Sequence, residues 1–273
     1  MGTGNIVVAP PTVGDARAGR TRWLQRREPN PRAKLRLFCF PYAGGAASIY
    51  HRWQHAIDAE VEVCLVQLPG RGSRINEPPI PHLATLARQA ADALLPYFDR
   101  PFAFFGHSMG AMIGFELARH LRESRLAPLP THLFVSGRSA PQADAHKPPI
   151  YNLPEDELFE ELRRLNGTPP EVLAHPEIMK LMLPLLRADF QVCDTYVYQE
   201  GPPLGCPITA FGGLADEAVT REALEAWRVH TAAGFAAHML PGDHFFIHSN
   251  ESALLGLLTN KLRQIVESLT ARI

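Results

Sequence analysis

The residues best placed to do chemistry are those of Gly106-His-Ser-Met-Gly110, a G-x-S-x-G pattern. An apolar run, Pro101-Phe-Ala-Phe-Phe105, enters it, and a helical run from Ala111 to Glu123 leaves it. A tight strand-to-helix turn of this kind lifts its serine above a sheet as an exposed nucleophile. The flanking glycines are needed because a side chain at either position would strike the neighbouring strand or helix. The helix N-terminus beneath Ser108 favours negative charge developing at the site. A serine hydroxyl is a weak nucleophile alone, so it needs a base, and the base needs a carboxylate to orient it.

In sites of this type the acid comes next in the chain and the histidine last, each on a loop after a later strand. Asp216 follows the run 207–211 and Gly212-Gly213, and His244 follows the last strand-like run and Pro241-Gly242. The competitors are less well placed. His107 adjoins Ser108, and adjacent side chains on an elbow point apart. His238 lies inside a strand-like run, as a packed histidine does, and His248 is the second choice for the base. Asp243 adjoins His244 and is poorly placed to reach its Nδ1, while Glu217 replaces Asp216 only if the loop shifts. The expected triad is Ser108, Asp216 and His244. An oxyanion hole needs two backbone N–H groups. One belongs to Met109; the other is expected from Ala43 in Phe40-Pro-Tyr-Ala-Gly-Gly45, whose glycines let backbone approach a substrate. Such a set passes an acyl group through an acyl-serine to water, with no need of a metal or organic cofactor. No metal-ligand spacing occurs among the 12 His.

Strand and helix signals alternate in a way that positions these residues. Strands are expected at 35–41, 61–68, 101–105, 131–136, 207–211 and 235–240, and helices at 48–57, 83–98, 111–123, 221–231 and 252–270. Strands this apolar, each followed by a helix, predict a mostly parallel sheet covered on both faces, a doubly wound α/β fold. The core is expected at 35–147 and 201–273. Residues 148–200 break the rhythm with two helical patterns, 155–165 and 176–198, joined by Gly167-Thr-Pro-Pro170, and read as an inserted helical lid. Leu158, Phe159, Leu162 and Leu165 form one apolar face of it. Ile178, Met179, Met182, Leu183, Leu186 and Phe190 form another, which either packs on the core or lines a substrate channel. Met179, Met182, Leu186 and Phe190 are the channel residues expected, the methionines suiting a pliable acyl site. Arg187 and Asp189 are expected to make structural hydrogen bonds.

Composition sets the outer bounds. The chain has 273 residues, 46% hydrophobic and 20% charged, with 14 Phe and 25 Pro, enough for one sizeable core with an insertion. A net charge of −1 argues against a dedicated nucleic-acid binder. No apolar run approaches the roughly 18 residues that cross a bilayer, and Met1 to Val8 lacks a signal peptide's charged and apolar regions. A cytoplasmic protein is expected, with reduced thiols buried at Cys39 and Cys64. Residues 1–34 read as a basic, flexible extension. From Arg17 to Arg36 there are eight basic residues against one acid, Glu28, which makes either a solvated tail or a docking arm for an acidic partner.

Taken together, Phe40-Pro-Tyr-Ala-Gly-Gly45, Leu68-Pro-Gly-Arg-Gly-Ser-Arg74 with Glu77-Pro-Pro79, Gly106-His-Ser-Met-Gly110, Leu185-Leu-Arg-Ala-Asp189 and Pro241-Gly-Asp-His-Phe-Phe246 resemble the stand-alone type II thioesterases of modular polyketide and nonribosomal peptide synthases. The resemblance spans about residues 35–268. It implies an α/β-hydrolase fold and hydrolysis of acyl groups from the phosphopantetheine arm of acyl or peptidyl carrier proteins, clearing aberrant or stalled chains and mis-primed acetyl groups. By motif it assigns catalysis to Ser108, Asp216 and His244 and the oxyanion donors to Ala43 and Met109. It also implies carrier proteins as partners; a monomer that acts without nucleic acid, membrane or cofactor is expected. One departure is Asn166-Gly167, where relatives often have Gly-Gly, a tolerable swap because Asn accepts a positive φ. The N-terminal extension is longer than the resemblance requires. An oxygen-ester hydrolase (carboxylesterase or lipase) and an acyltransferase or cyclase would use the same residues.

Overall fold

The structure, a computed structural model, describes residues 21–25, 30–143, 148–167 and 170–271. Among the described residues, seven strands form one sheet: β1 (Leu24–Gln25), β2 (Leu35–Phe40), β3 (Val61–Val66), β4 (Phe102–His107), β5 (His132–Ser136), β6 (Ile208–Gly213) and β7 (Phe235–Leu240). The helices are α1 (Trp53–Ala56), α2 (Leu83–Leu94), α3 (Met109–Ser124), α4 (Glu155–Leu165), α5 (Pro170–Leu173), α6 (Pro176–Asp194), α7 (Arg221–Glu225), α8 (Phe246–Ser249) and α9 (Glu251–Thr270). The sheet order is β1-β3-β2-β4-β5-β6-β7. β2 to β7 run parallel, and β1 joins the β3 edge antiparallel, with Leu24 opposite Val66.

The apolar runs are strands because both sheet faces are covered. Along β2 and β4, Phe38, Phe40, Phe102 and Phe104 enter one layer with α2 and α3. Leu35, Leu37, Ala103 and Phe105 enter the opposite layer with α9. This two-residue alternation between two buried layers is what a doubly covered parallel sheet requires. Cys39 and Cys64 are fully buried within it.

Some boundaries differ from expectation. The helix expected at 48–57 divides into a 3₁₀ turn, Ala47–Tyr50, and α1. The one expected at 83–98 ends at Leu94 and tightens into a 3₁₀ turn, Leu95–Tyr97, because Pro96 has no N–H to continue the ladder. The pattern at 221–231 yields the five-residue α7 and a 3₁₀ turn, and α6 stops at Asp194.

The basic N-terminal stretch needs a larger correction. Leu24–Gln25 is a strand, Trp23 is buried against the core, and Arg22 pairs with Glu77 at 3.0 Å. Arg36 lies within β2, where its buried guanidinium pairs with Glu62 at 2.7 Å and with Asp99, and donates to the Tyr97 carbonyl. Part of the charge expected on a flexible arm is therefore consumed inside the fold. Residues 1–20 and 26–29 of that expected arm lie outside the described residues, as do Thr168 and Pro169.

Between β5 and β6 the chain leaves the sheet and builds α4, α5 and α6. These helices share a small core of Leu158, Leu162, Met179 and Leu186. No helix among the described residues is long and apolar enough to cross a membrane.

Candidate active site

Ser108 sits between β4 and α3 at φ 53°, ψ −115°, a conformation that costs a non-glycine residue about 1–3 kcal/mol. The glycines make this turn possible. A Cβ on Gly106 would lie 2.1 Å from the Gly110 carbonyl, and one on Gly110 would lie 2.1 Å from Phe40 O. The strain is held by the sheet, since Ser108 N–H donates to Ser136 O of β5 at 2.7 Å. Met109 begins α3 with its side chain buried; what it offers is its backbone N–H, one of the helix's unpaired first-turn donors.

Asp216 and His244 come together from the loops after β6 and β7. His244 Nδ1–H donates to Asp216 Oδ2 at 2.8 Å, with side chains 21% and 1% exposed. Asp216 Oδ1 accepts from Ala218 and Val219 N–H at 2.9 and 3.2 Å. The carboxylate is thus fixed on three sides, and the imidazole is left with Nε2 as its available nitrogen. Ser108 and His244 border the same cavity, of about 870 Å³.

The competing residues take other partners. Asp243 accepts from Phe245 N–H at 2.9 Å and from Asn166 Nδ2 at 3.1 Å. Glu217 is exposed. His248 Nε2 lies 2.9 Å from the Tyr42 hydroxyl, and His238 stacks on Phe211 in the sheet. His107 bonds the Ser136 hydroxyl through Nδ1 at 2.9 Å, and its ring centroid is 5.3 Å from that of His244. That proximity was not foreseen from an elbow whose neighbours point apart. Burial lowers the pKa of both His107, well below the usual range, and His248. Both flanking imidazoles are therefore neutral near pH 7 and put no positive charge beside His244.

The loop after β2 supplies Tyr42, Ala43 and Gly44 to the cavity wall. Gly44, Gly45 and Ala47 N–H groups are already used, on Asp189, Tyr42 O and Gln67. Ala43 N–H and Met109 N–H have no protein acceptor among the described residues. The inserted helices close the cavity with Leu162, Met182, Leu186 and Phe190. Met179 does not join them. It is 2% exposed inside the insertion's own core, because the α6 face it shares with Met182 also has to cover Leu158 and Leu162 of α4. Asn166 ends α4 at φ 56°, the conformation for which asparagine substitutes for glycine. Arg187 donates to Tyr151 O at 2.7 Å. The residues that sequence reasoning underrated are Arg71 and Asp189, a buried pair against the Ala43 loop. Their motifs were visible, but nothing in the sequence joined them.

No cluster of metal-binding side chains occurs among the described residues. A fixed carboxylate–imidazole pair, a strained serine and unpaired backbone donors around one partly apolar cavity can do acyl-transfer chemistry.

Comparison with known proteins agrees with this chemistry. The thioesterase domain family matches residues 35–262. The chain is 48% identical over 246 residues to a Brevibacillus parabrevis protein named linear gramicidin dehydrogenase LgrE, covering 89% of this chain and 93% of that one. It superimposes on RedJ, a thioesterase from the prodiginine biosynthetic pathway of Streptomyces coelicolor, with TM-score 0.78 and 42% identity over 84% of this chain and 86% of RedJ. On BorB, the type II thioesterase of the borrelidin biosynthetic cluster, the TM-score is 0.79 with 38% identity over 87% of this chain and 96% of BorB. The name of the first relative denotes an oxidoreductase, whereas the family matched and the fold are those of a hydrolase. The chain belongs to the thioesterase family: it is a thioester hydrolase of the α/β-hydrolase fold, related to the type II thioesterases of polyketide and nonribosomal peptide biosynthesis.

Proposed function

We propose that this thioesterase removes acyl groups from the phosphopantetheine arm of acyl or peptidyl carrier proteins, clearing aberrant or stalled chains. Ser108 is the nucleophile, His244 the base and Asp216 its orienting carboxylate. His244 Nε2 takes the Ser108 proton as the serine oxygen attacks the thioester carbonyl. The oxyanion is received by Ala43 and Met109 N–H. Asp216 holds the imidazole tautomer and stabilises the imidazolium. The leaving thiol has an ordinary pKa of about 8.5, so its expulsion needs less acid help than an amide nitrogen would. Water activated by His244 then releases the acid from the acyl-serine and restores the enzyme. These steps call on no metal or organic cofactor.

The observation that carries this reading is the 2.8 Å bond from His244 to Asp216 beside a cavity that Ser108 also borders. Residues 148–200 act as the lid that shapes the cavity, with Met182, Leu186 and Phe190 along the acyl path. The remainder, 35–147 and 201–273, is the catalytic core. The test is hydrolysis of a panel of acyl-loaded carrier proteins followed by intact-protein mass spectrometry. Loss of acyl mass with the arm retained is the expected result. An unchanged acyl-carrier mass across the panel would refute the proposal.

A further inference from the structure

The loop that carries Ala43 is not held by the sheet alone. Gly44 N–H donates to Asp189 Oδ2 of α6 at 2.7 Å. The same carboxylate takes both arms of Arg71, Nη1 on Oδ2 and Nη2 on Oδ1, each at 2.7 Å. Arg71 lies in the loop after β3 and also donates to Gly45 O at 3.1 Å. Gln67 completes the set, donating to Arg71 O at 2.6 Å and accepting Ala47 N–H at 3.1 Å. The Arg71 and Asp189 side chains are 4% and 2% exposed. One turn earlier on α6, Leu186 presses on the same loop: a Cβ on Gly44, whose φ is +76°, would lie 2.9 Å from Leu186 Cδ2.

A buried ion pair is weak evidence for stability, since well-packed apolar residues of similar volume often serve as well. What this pair does that apolar residues cannot is hold a backbone amide in one orientation. The Gly44 N–H belongs to the peptide plane that follows Ala43. With that plane pinned, the direction of Ala43 N–H is set by the torsions of Ala43 alone. Gly44 N–H is at the same time withdrawn from the cavity as a competing donor. Donors to a developing oxyanion act because they are in place before the charge appears.

We propose that Asp189, fixed by Arg71, is a positioning residue for the oxyanion hole, so that the inserted helix α6 sets the geometry of the Ala43 donor. This rests on the reading of Ala43 N–H as an oxyanion donor. Asp189 touches no reacting atom; it acts through the peptide it holds.

The test is Asp189→Asn, with three readouts on the full-length enzyme. For an acyl-carrier substrate, kcat falls about 10- to 100-fold while KM stays within about 2-fold. Affinity for an acyl trifluoromethyl ketone, which becomes tetrahedral on Ser108, falls by about the same factor. Affinity for a non-hydrolysable amide analogue of acyl-pantetheine does not change. Because a buried Arg71 without its carboxylate partner destabilises the fold, the double variant Arg71→Met/Asp189→Leu fills the site with apolar groups and is expected to show the same losses. Unchanged kcat and ketone affinity in a folded variant overturns the proposal. So does equal weakening of the ketone and the amide analogue, which marks a role in substrate binding or general structure. Failure of the wild-type enzyme to bind the ketone at Ser108 would instead overturn the reading of the site itself.

Discussion

Nδ1 of His244 lies 2.8 Å from Oδ2 of Asp216, although the two residues are 28 positions apart. Their meeting follows from strand pairing: β6 and β7 are parallel neighbours, with Gly213 opposite Leu240, so the loops leaving both strands emerge side by side. Asp216 anchors its own loop through Ala218 and Val219 N–H, so the carboxylate is in place whether or not His244 is charged.

Ser108→Ala and His244→Ala are expected to lower kcat by similar factors of about 10³ or more, because residues of such a set act as a unit. Asp216→Asn should lose as much or less, since it keeps a hydrogen-bonding group while disturbing the tautomer. The variants should melt within a few degrees of the parent, as Ser108 contributes little packing. Single-turnover assays on an acyl-carrier substrate with melting curves check both points. More than a few per cent residual activity in Ser108→Ala would sink the covalent route.

Much of this was legible because it is local or periodic. The runs that became β2 to β6 are mostly apolar stretches, and the serine, acid and histidine follow in a fixed chain order after strands. What was illegible depends on partners far away. β1 is two residues long and has no periodicity to read. Met179 and Met182 share one helical face, and only the packing of α4 decides that one is core and the other cavity wall. Arg71 and Asp189 are 118 positions apart, and charge sign alone cannot pair them among 27 basic and 28 acidic residues.

Acid should weaken the fold before it exhausts the carboxylates. Burial beside Lys261 lowers the His132 pKa to about 3, and burial beside Arg119 lowers that of His230 to about 4. In the unfolded chain both return to about 6.5. Between those values the unfolded state binds more protons, so stability is present above pH 6.5 and is lost as pH falls toward 4. At pH 5 the loss is on the order of 1–2 kcal/mol per imidazole. Urea midpoints at pH 7 and pH 5 measure it, and His132→Gln, which cannot titrate, should show a smaller difference between the two. An equal or larger difference in that variant would contradict the assignment.

Gly110→Ala should be far more damaging than its single methyl implies. The added Cβ would meet backbone, Phe40 O at 2.1 Å, and the loop beyond Phe40 carries Ala43. Backbone cannot rotate aside as a side-chain tip can, so either α3 or the Ala43 loop must move. The expected cost is about 3 kcal/mol or more, seen as loss of soluble protein or a large fall in melting temperature. Gly256→Ala is the control, because nothing lies within 4 Å of a Cβ there and the position is helical. A Gly110→Ala protein as stable and active as Gly256→Ala would show that the elbow tolerates displacement.

On the proposed reading, α6 sets the acyl length that the cavity accepts. Met182 borders the cavity but lies outside the group that holds the Ala43 loop, so enlarging it narrows the chamber and leaves Asp189 in place. Met182→Trp should therefore lower kcat/KM for long acyl chains at least about tenfold, the scale at which apolar pockets distinguish a few methylenes. Acetyl transfer to water, which needs only the space next to Ser108, should stay within about twofold. The comparison is made with one carrier protein loaded with acetyl, hexanoyl and decanoyl groups, so that carrier docking is constant. A uniform loss across all three lengths would mean that Met182 acts on the fold or on docking, and that the acyl chain takes another route out of the site.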